Sequence, residues 1–173
     1  MNDEQIQTLK TLQLAIQMEI DGKEFYRKSG SESLNETGKR LFAALADEED
    51  LHRRKFEEIY QVISNAQAWP NIVFHPNKAQ TIKTIFAKAL EKVQKPSASE
   101  LEAVQTAIKM EIRSYDLYSG QAKTSTSAVQ RSYYEALAGE ERGHHLALID
   151  YQEYLTDPAG YFRTKEHHSL DGA

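Results

Sequence analysis

Glu19 and the pair Glu49/His52 recur in this chain as Glu111 and the pair Glu141/His144, each residue 92 positions after its counterpart. The blocks around them recur in the same register. AIQMEIDGKEFY (15–26) matches AIKMEIRSYDLY (107–118), and LADEEDLH (45–52) matches LAGEERGH (137–144). One register kept across two separated blocks marks an internal duplication. Both copies retain a lone Glu followed, 30 residues later, by Glu-x-x-His. That is half of a dinuclear metal site, present twice.

The chemistry follows from charge and helix geometry. Glu and His three apart share one helix face, so Glu49 with His52, and Glu141 with His144, can each bind one centre. Four carboxylates gathered in a core repel one another and lose their hydration, and two divalent cations relieve both costs. The charges then cancel, and neutral imidazoles complete the coordination. Oxygen-rich ligation with two histidines suits iron or manganese, with zinc as a substitute. Glu48, Glu140 and His145 stand one position from these residues and fall off the apolar stripes, so they are read as flanking residues. Tyr26 and Tyr118 lie seven residues past Glu19 and Glu111 on the same faces. Core packing and a hydrogen bond to a ligand carboxylate are equally open for them. Gly22 and Ser114, three past the lone glutamates, also point toward the site. They are candidate cavity-lining residues, leaving either open volume over the metals or room for close helix packing.

The elements that must position these residues are helices. Pro70, Pro76, Pro96 and Pro158 all fall in gaps between periodic stretches, where a helix breaker belongs. The pattern predicts a first helix from about Asp3 to Ser29, ending near Gly30, and a second from about Asn35 to Asn65. A shorter helix is expected over 78–94, inside a long crossover of about 66–97. The third starts with the capping signal Ser97-x-x-Glu100 and ends near Gly120, and the fourth covers about Ser127 to Leu155, stopped by Asp157-Pro158. Apolar residues at steps of three and four line each helix, and a carboxylate interrupts every stripe: Ile16-Glu19, Leu45-Glu49, Ile108-Glu111, Leu137-Glu141. An all-α four-helix bundle over residues 1–156, built of two hairpins joined by one crossover, follows, with a tail over 157–173. In the tail, Tyr161 and Phe162 are expected to dock, and His167 and His168 to be surface residues.

Bulk properties narrow the function. A formal charge of −5 without a Lys/Arg cluster argues against nucleic acid. No apolar run approaches the roughly 20 residues a bilayer span needs, and the acidic start MNDEQIQTLK is unlike a signal peptide, so a cytoplasmic protein is expected. The chain has no cysteine, which rules out thiolate metal sites within it.

On MEIDGKEFY, LADEEDLH, MEIRSYDLY and LAGEERGH, the chain resembles the rubrerythrin branch of the ferritin-like diiron proteins from about Gln5 to Leu155. The resemblance implies two iron ions, bridged by Glu49 and Glu141, with Glu19 and Glu111 as terminal carboxylates and His52 and His144 each capping one metal. Two departures bear on the chemistry: Ser114 stands where rubrerythrins carry a further glutamate, and without cysteine there is no rubredoxin domain. The expectation is a dimetal oxidoreductase acting on hydrogen peroxide or dioxygen, with Glu49 and Glu141 holding and tuning the metal pair. A separate rubredoxin-like protein or reductase supplies electrons, and a homodimer is expected. The alternative is ferrous-iron binding and oxidation without a dedicated donor.

Overall fold

The structure is a computed structural model that describes residues 3–65, 68–72 and 98–161. Four long helices make up nearly all of it: α1 (Asp3–Glu32), α2 (Glu36–Ser64), α3 (Ala98–Thr124) and α4 (Ala128–Thr156). They form a ferritin-like four-helix bundle. Helix α1 packs on α2 and α3 on α4, and the two hairpins also meet along α1 and α3. Among the described residues, no helix is long and apolar enough to cross a membrane. The expected short helix over 78–94, Ser97, Phe162, His167 and His168 lie outside the described residues.

Short-range chemistry sets the helix ends. Asn35 caps α2, its side chain accepting from the Thr37 N–H, and Ser127 caps α4 by accepting from the Gln130 N–H. Asp157 closes α4, its N–H bonding the Glu153 carbonyl. Two predicted stops do not occur: α1 runs through Gly30 to Glu32, and α3 through Gly120 to Thr124. A glycine inside a helix costs only about 1 kcal/mol, which packing readily offsets. At Gly30 the packing is explicit, since an added Cβ would lie 3.3 Å from the Phe42 Cβ on the facing helix.

The core falls into two apolar layers. One gathers Tyr26, Leu41, Phe42, Val104, Leu148 and Tyr151 at the end where α1 and α2 are joined. The other gathers Leu12, Phe56, Ile59, Tyr118, Tyr134 and Leu137 toward the opposite end. All six candidate ligands fall between these layers along their helices. Tyr161, at the start of the tail, is buried against Tyr154 with ring centroids 5.9 Å apart. Glu100, expected to complete a capping box, reaches between helices instead. Its Oε1 accepts from the Ser33 hydroxyl and, at 2.7 Å, from the Tyr151 hydroxyl. This knot ties the α1–α2 turn to α3 and α4, and Gly38 sits against it. A Cβ at Gly38 would collide with the Tyr151 hydroxyl, and would lie 2.5 Å from Glu100 Oε1 and 2.6 Å from Ser33 Oγ. Gly38→Ala is expected to cost about 1–3 kcal/mol in thermal or urea unfolding, as overpacking does. Gly120→Ala, whose Cβ meets nothing within 4 Å, should stabilise by up to about 1 kcal/mol.

Candidate metal centre

Each of the four helices delivers one carboxylate to the middle of the bundle, and α2 and α4 each add an imidazole one turn on. Glu19, Glu49, His52, Glu111, Glu141 and His144 are all no more than 4% exposed. Their inward atoms form two overlapping groups. Glu19, Glu49, His52 and Glu141 offer ligand atoms within 4.8 Å of one another, and so do Glu49, Glu111, Glu141 and His144. Glu49 and Glu141 belong to both.

The histidines face inward through Nδ1. From His52 Nδ1, Glu141 Oε1 is 3.1 Å away, Glu19 Oε2 3.4 Å and Glu49 Oε2 3.9 Å. From His144 Nδ1, Glu49 Oε1 and Glu111 Oε2 are both 3.5 Å away and Glu141 Oε2 3.8 Å. The two rings stack with centroids 5.7 Å apart. Glu19 Oε2, Glu111 Oε2, Glu141 Oε1 and His144 Nδ1 are buried and make no well-aligned hydrogen bond. Buried polar atoms are almost always satisfied, so several left facing one point mark a place for a cation. The donor set of carboxylate oxygens and two imidazoles fits two iron or manganese ions.

The outer atoms of the same residues are held across the hairpin boundary. Tyr26 on α1 donates to Glu111 Oε1 on α3, and Tyr118 on α3 donates to Glu19 Oε1 on α1. His52 Nε2 lies 2.8 Å from Glu140 Oε2, and His144 Nε2 lies 2.8 Å from Glu48 Oε2. Every pair maps onto the other under the 92-residue shift, so the site has an internal pseudo-twofold. The flanking reading of Glu48 and Glu140 misses this role. A signal was available, because both recur at the same offset. Helix geometry hid it: a residue beside the stripe is turned by about 100°, and only the packing of the second hairpin supplies the histidine it meets.

Gly22 faces the Glu49 carboxylate, where an added Cβ would sit 3.4 Å from Cγ and 3.5 Å from Oε2. The clefts of about 410 and 360 Å³ that share Tyr115 and Arg142 open on α3 and α4, and neither is lined by Gly22 or Ser114. His145 lines the smaller one.

With no cation, protons balance the charge. Burial, then the charge of Glu141, pushes Glu111 up to about 8, and burial with Glu19 and Glu141 raises Glu49 well above its ordinary value. Burial would lower both imidazoles, but the carboxylates win: Glu140, Glu141 and Glu19 raise His52, and Glu111, Glu141 and Glu48 raise His144. Burial would raise Glu141 as well, yet His144 and His52 hold it well below the usual carboxylate range.

A family model described as Rubrerythrin matches residues 10–152. The chain belongs to the rubrerythrin family. Neither the curated proteins nor the solved structures compared with it gave a match. Rubrerythrins are in general diiron oxidoreductases, and the buried carboxylate and histidine cluster is compatible with a metal site of that kind.

Two outcomes are expected. Groups raised in the folded state bind protons more tightly folded than unfolded, so the metal-free protein loses stability as pH rises through their folded values. For Glu111 the window runs from about 4.5 to about 8, Glu49 and both histidines act in the same sense, and Glu141 acts only below 4.5. The thermal midpoint of chelator-treated protein should therefore fall across that window, and divalent metal should abolish the fall. Glu48→Gln and Glu140→Gln should each weaken metal binding by about 10- to 100-fold in competition with a chromophoric chelator.

Proposed function

We propose that this rubrerythrin-family protein is a diiron oxidoreductase that reduces hydrogen peroxide or dioxygen and is re-reduced by an external electron donor. The observation that carries the reading is the pair of overlapping ligand groups sharing Glu49 and Glu141. Those two residues would bridge two iron ions, with Glu19 and His52 completing one side and Glu111 and His144 the other. Bound iron supplies two one-electron oxidations, the pair that one O–O bond requires.

The chain's own residues hold this geometry and keep it dry. Tyr118 and Tyr26 each fix one oxygen of Glu19 and Glu111, leaving Oε2 of both turned to the centre. Glu140 and Glu48 occupy the outer nitrogens of His52 and His144, so that Nδ1 of each points inward. The apolar layers above and below exclude water, and electrostatic interactions between them are correspondingly strong. Gly22 leaves the flank of Glu49 without a side chain, which favours access for a small oxidant from that direction. Manganese or zinc would occupy the same ligands, and we take the working form to be a cytoplasmic homodimer served by a rubredoxin-like protein or a reductase.

The test is metal analysis on protein produced with iron, followed by stopped-flow mixing of the reduced protein with peroxide. About two iron ions per chain are expected, absent from a Glu49→Ala/Glu141→Ala double variant. Reoxidation should outpace that of free ferrous ion. Iron accumulating well beyond two per chain would instead assign the protein to iron handling, and reoxidation no faster than free ion would end the oxidoreductase reading.

A further inference from the structure

The two halves of the bundle repeat one stacked ring pair with different chemistry. Tyr26 stacks on Phe42, centroids 6.1 Å apart and planes at 24°. Ninety-two residues on, Tyr118 stacks on Tyr134 at 6.2 Å and 23°. The same geometry is reached with a phenyl ring in one half and a phenol in the other, so packing does not require the Tyr134 hydroxyl. That hydroxyl is buried and has no hydrogen-bond partner among the described residues, which is a cost to folding. A costly group that packing does not need points to a chemical use.

Its surroundings say which. On its outer side Tyr134 meets Trp69, the only tryptophan of the chain, with centroids 5.6 Å apart. Trp69 is half-buried and so reaches the surface. On its inner side Tyr134 meets Tyr118, whose hydroxyl donates to the cluster carboxylate Glu19. Oxidisable rings therefore run in contact from the cluster to the outside. In the other half the equivalent path meets Phe42, a ring that is far harder to oxidise than phenol or indole. Tyr133 also touches Trp69, at 5.8 Å, but it reaches Tyr118 only through Phe56 or through Tyr134, 5.8 Å away, so Tyr134 stands on every path made of oxidisable rings.

We propose that Tyr118, Tyr134 and Trp69 form a one-electron relay between the cluster and the protein surface. Tunnelling falls off exponentially with distance, so short steps between touching rings outrun one long jump. Tyr118 is the inner terminus because its hydroxyl proton has an acceptor in Glu19 Oε1. Tyr134, with no acceptor among the described residues, carries the charge in passing and keeps its proton. When an oxidised Trp69 radical cation takes an electron from Tyr118 by way of Tyr134, the Tyr118 proton passes to the Glu19 carboxylate. The products are neutral indole, a neutral phenoxyl radical and a carboxylic acid. In turnover, hydrogen peroxide takes up two electrons and two protons to give two waters. The electrons are replaced singly at Trp69 by an external one-electron donor. The purpose of the relay rests on the diiron reading, whereas its connectivity is a property of the rings.

Pulse radiolysis tests that connectivity without iron or peroxide. The full chain, supplied with redox-inert zinc, is exposed to azide radicals, which oxidise indole ahead of buried phenols. The indolyl absorption, which can come only from Trp69, should give way to phenoxyl absorption at a rate independent of protein concentration. Tyr134→Phe keeps the ring and, by the precedent of Phe42, the packing. It should slow the transfer by about tenfold or more. Tyr118→Phe should remove the phenoxyl product, and Tyr133→Phe should leave both rate and product unchanged. A transfer rate indifferent to Tyr134→Phe, a phenoxyl signal lost in Tyr133→Phe but kept in Tyr118→Phe, or decay that depends on protein concentration would each overturn the relay. Peroxide consumption by the iron-loaded wild type, measured separately, tells failure of the relay from failure of the diiron reading.

Discussion

Four carboxylates buried within a few ångströms of each other are the constraint on which this bundle is built. Like charges in a poor dielectric repel, and each carboxylate has lost the water that would have solvated it. The protein answers in three ways. It brings two imidazoles into the group, it lets Glu49 and Glu111 hold protons more tightly than usual, and it leaves inward atoms turned to points that a cation can occupy. The remaining architecture supports that polar layer. Apolar layers lie on either side of it, and the outer oxygens and nitrogens of its members are taken up by Tyr26, Tyr118, Glu48 and Glu140.

Those supporting bonds all cross from one hairpin to the other. Tyr26 and Glu48 belong to the first hairpin and serve Glu111 and His144 of the second, while Tyr118 and Glu140 serve Glu19 and His52 in return. Neither half can complete its own ligands. Assembly of the site and assembly of the bundle are thus one event, which gives the duplicated halves a physical reason to stay in register. It also explains why a pair such as Glu48 and Glu140 persists in both copies although neither lies on an apolar stripe.

Where the symmetric bonds do not constrain them, the halves have diverged. Gly22 corresponds to Ser114, and Leu41-Phe42 corresponds to Tyr133-Tyr134. The first difference alters what stands beside a ligand carboxylate. The second replaces an inert partner ring, Phe42, by an oxidisable one, Tyr134, at nearly unchanged stacking geometry. Equal packing with unequal chemistry lets a pseudo-symmetric site have a reactive side and an insulating side.

Much of this was legible in one dimension. The 92-residue register, the glutamates at the same level of four stripes, and the prolines between them determine a duplicated all-α bundle and nominate its six polar core residues, because helix periodicity is a local property. Local rules misjudged the stops at Gly30 and Gly120, because a glycine's helix penalty is modest and, at Gly30, packing against Phe42 opposes it. They also misjudged Glu100, whose carboxylate bridges helices. What the chain could not reveal by itself is which residue reaches which across the hairpin boundary. The Tyr26–Glu111 and Glu48–His144 bonds and the contact of Tyr134 with Trp69 all join residues far apart in sequence. Such pairings depend on the rotation and depth at which one hairpin docks on the other, and no periodicity within a single helix encodes that.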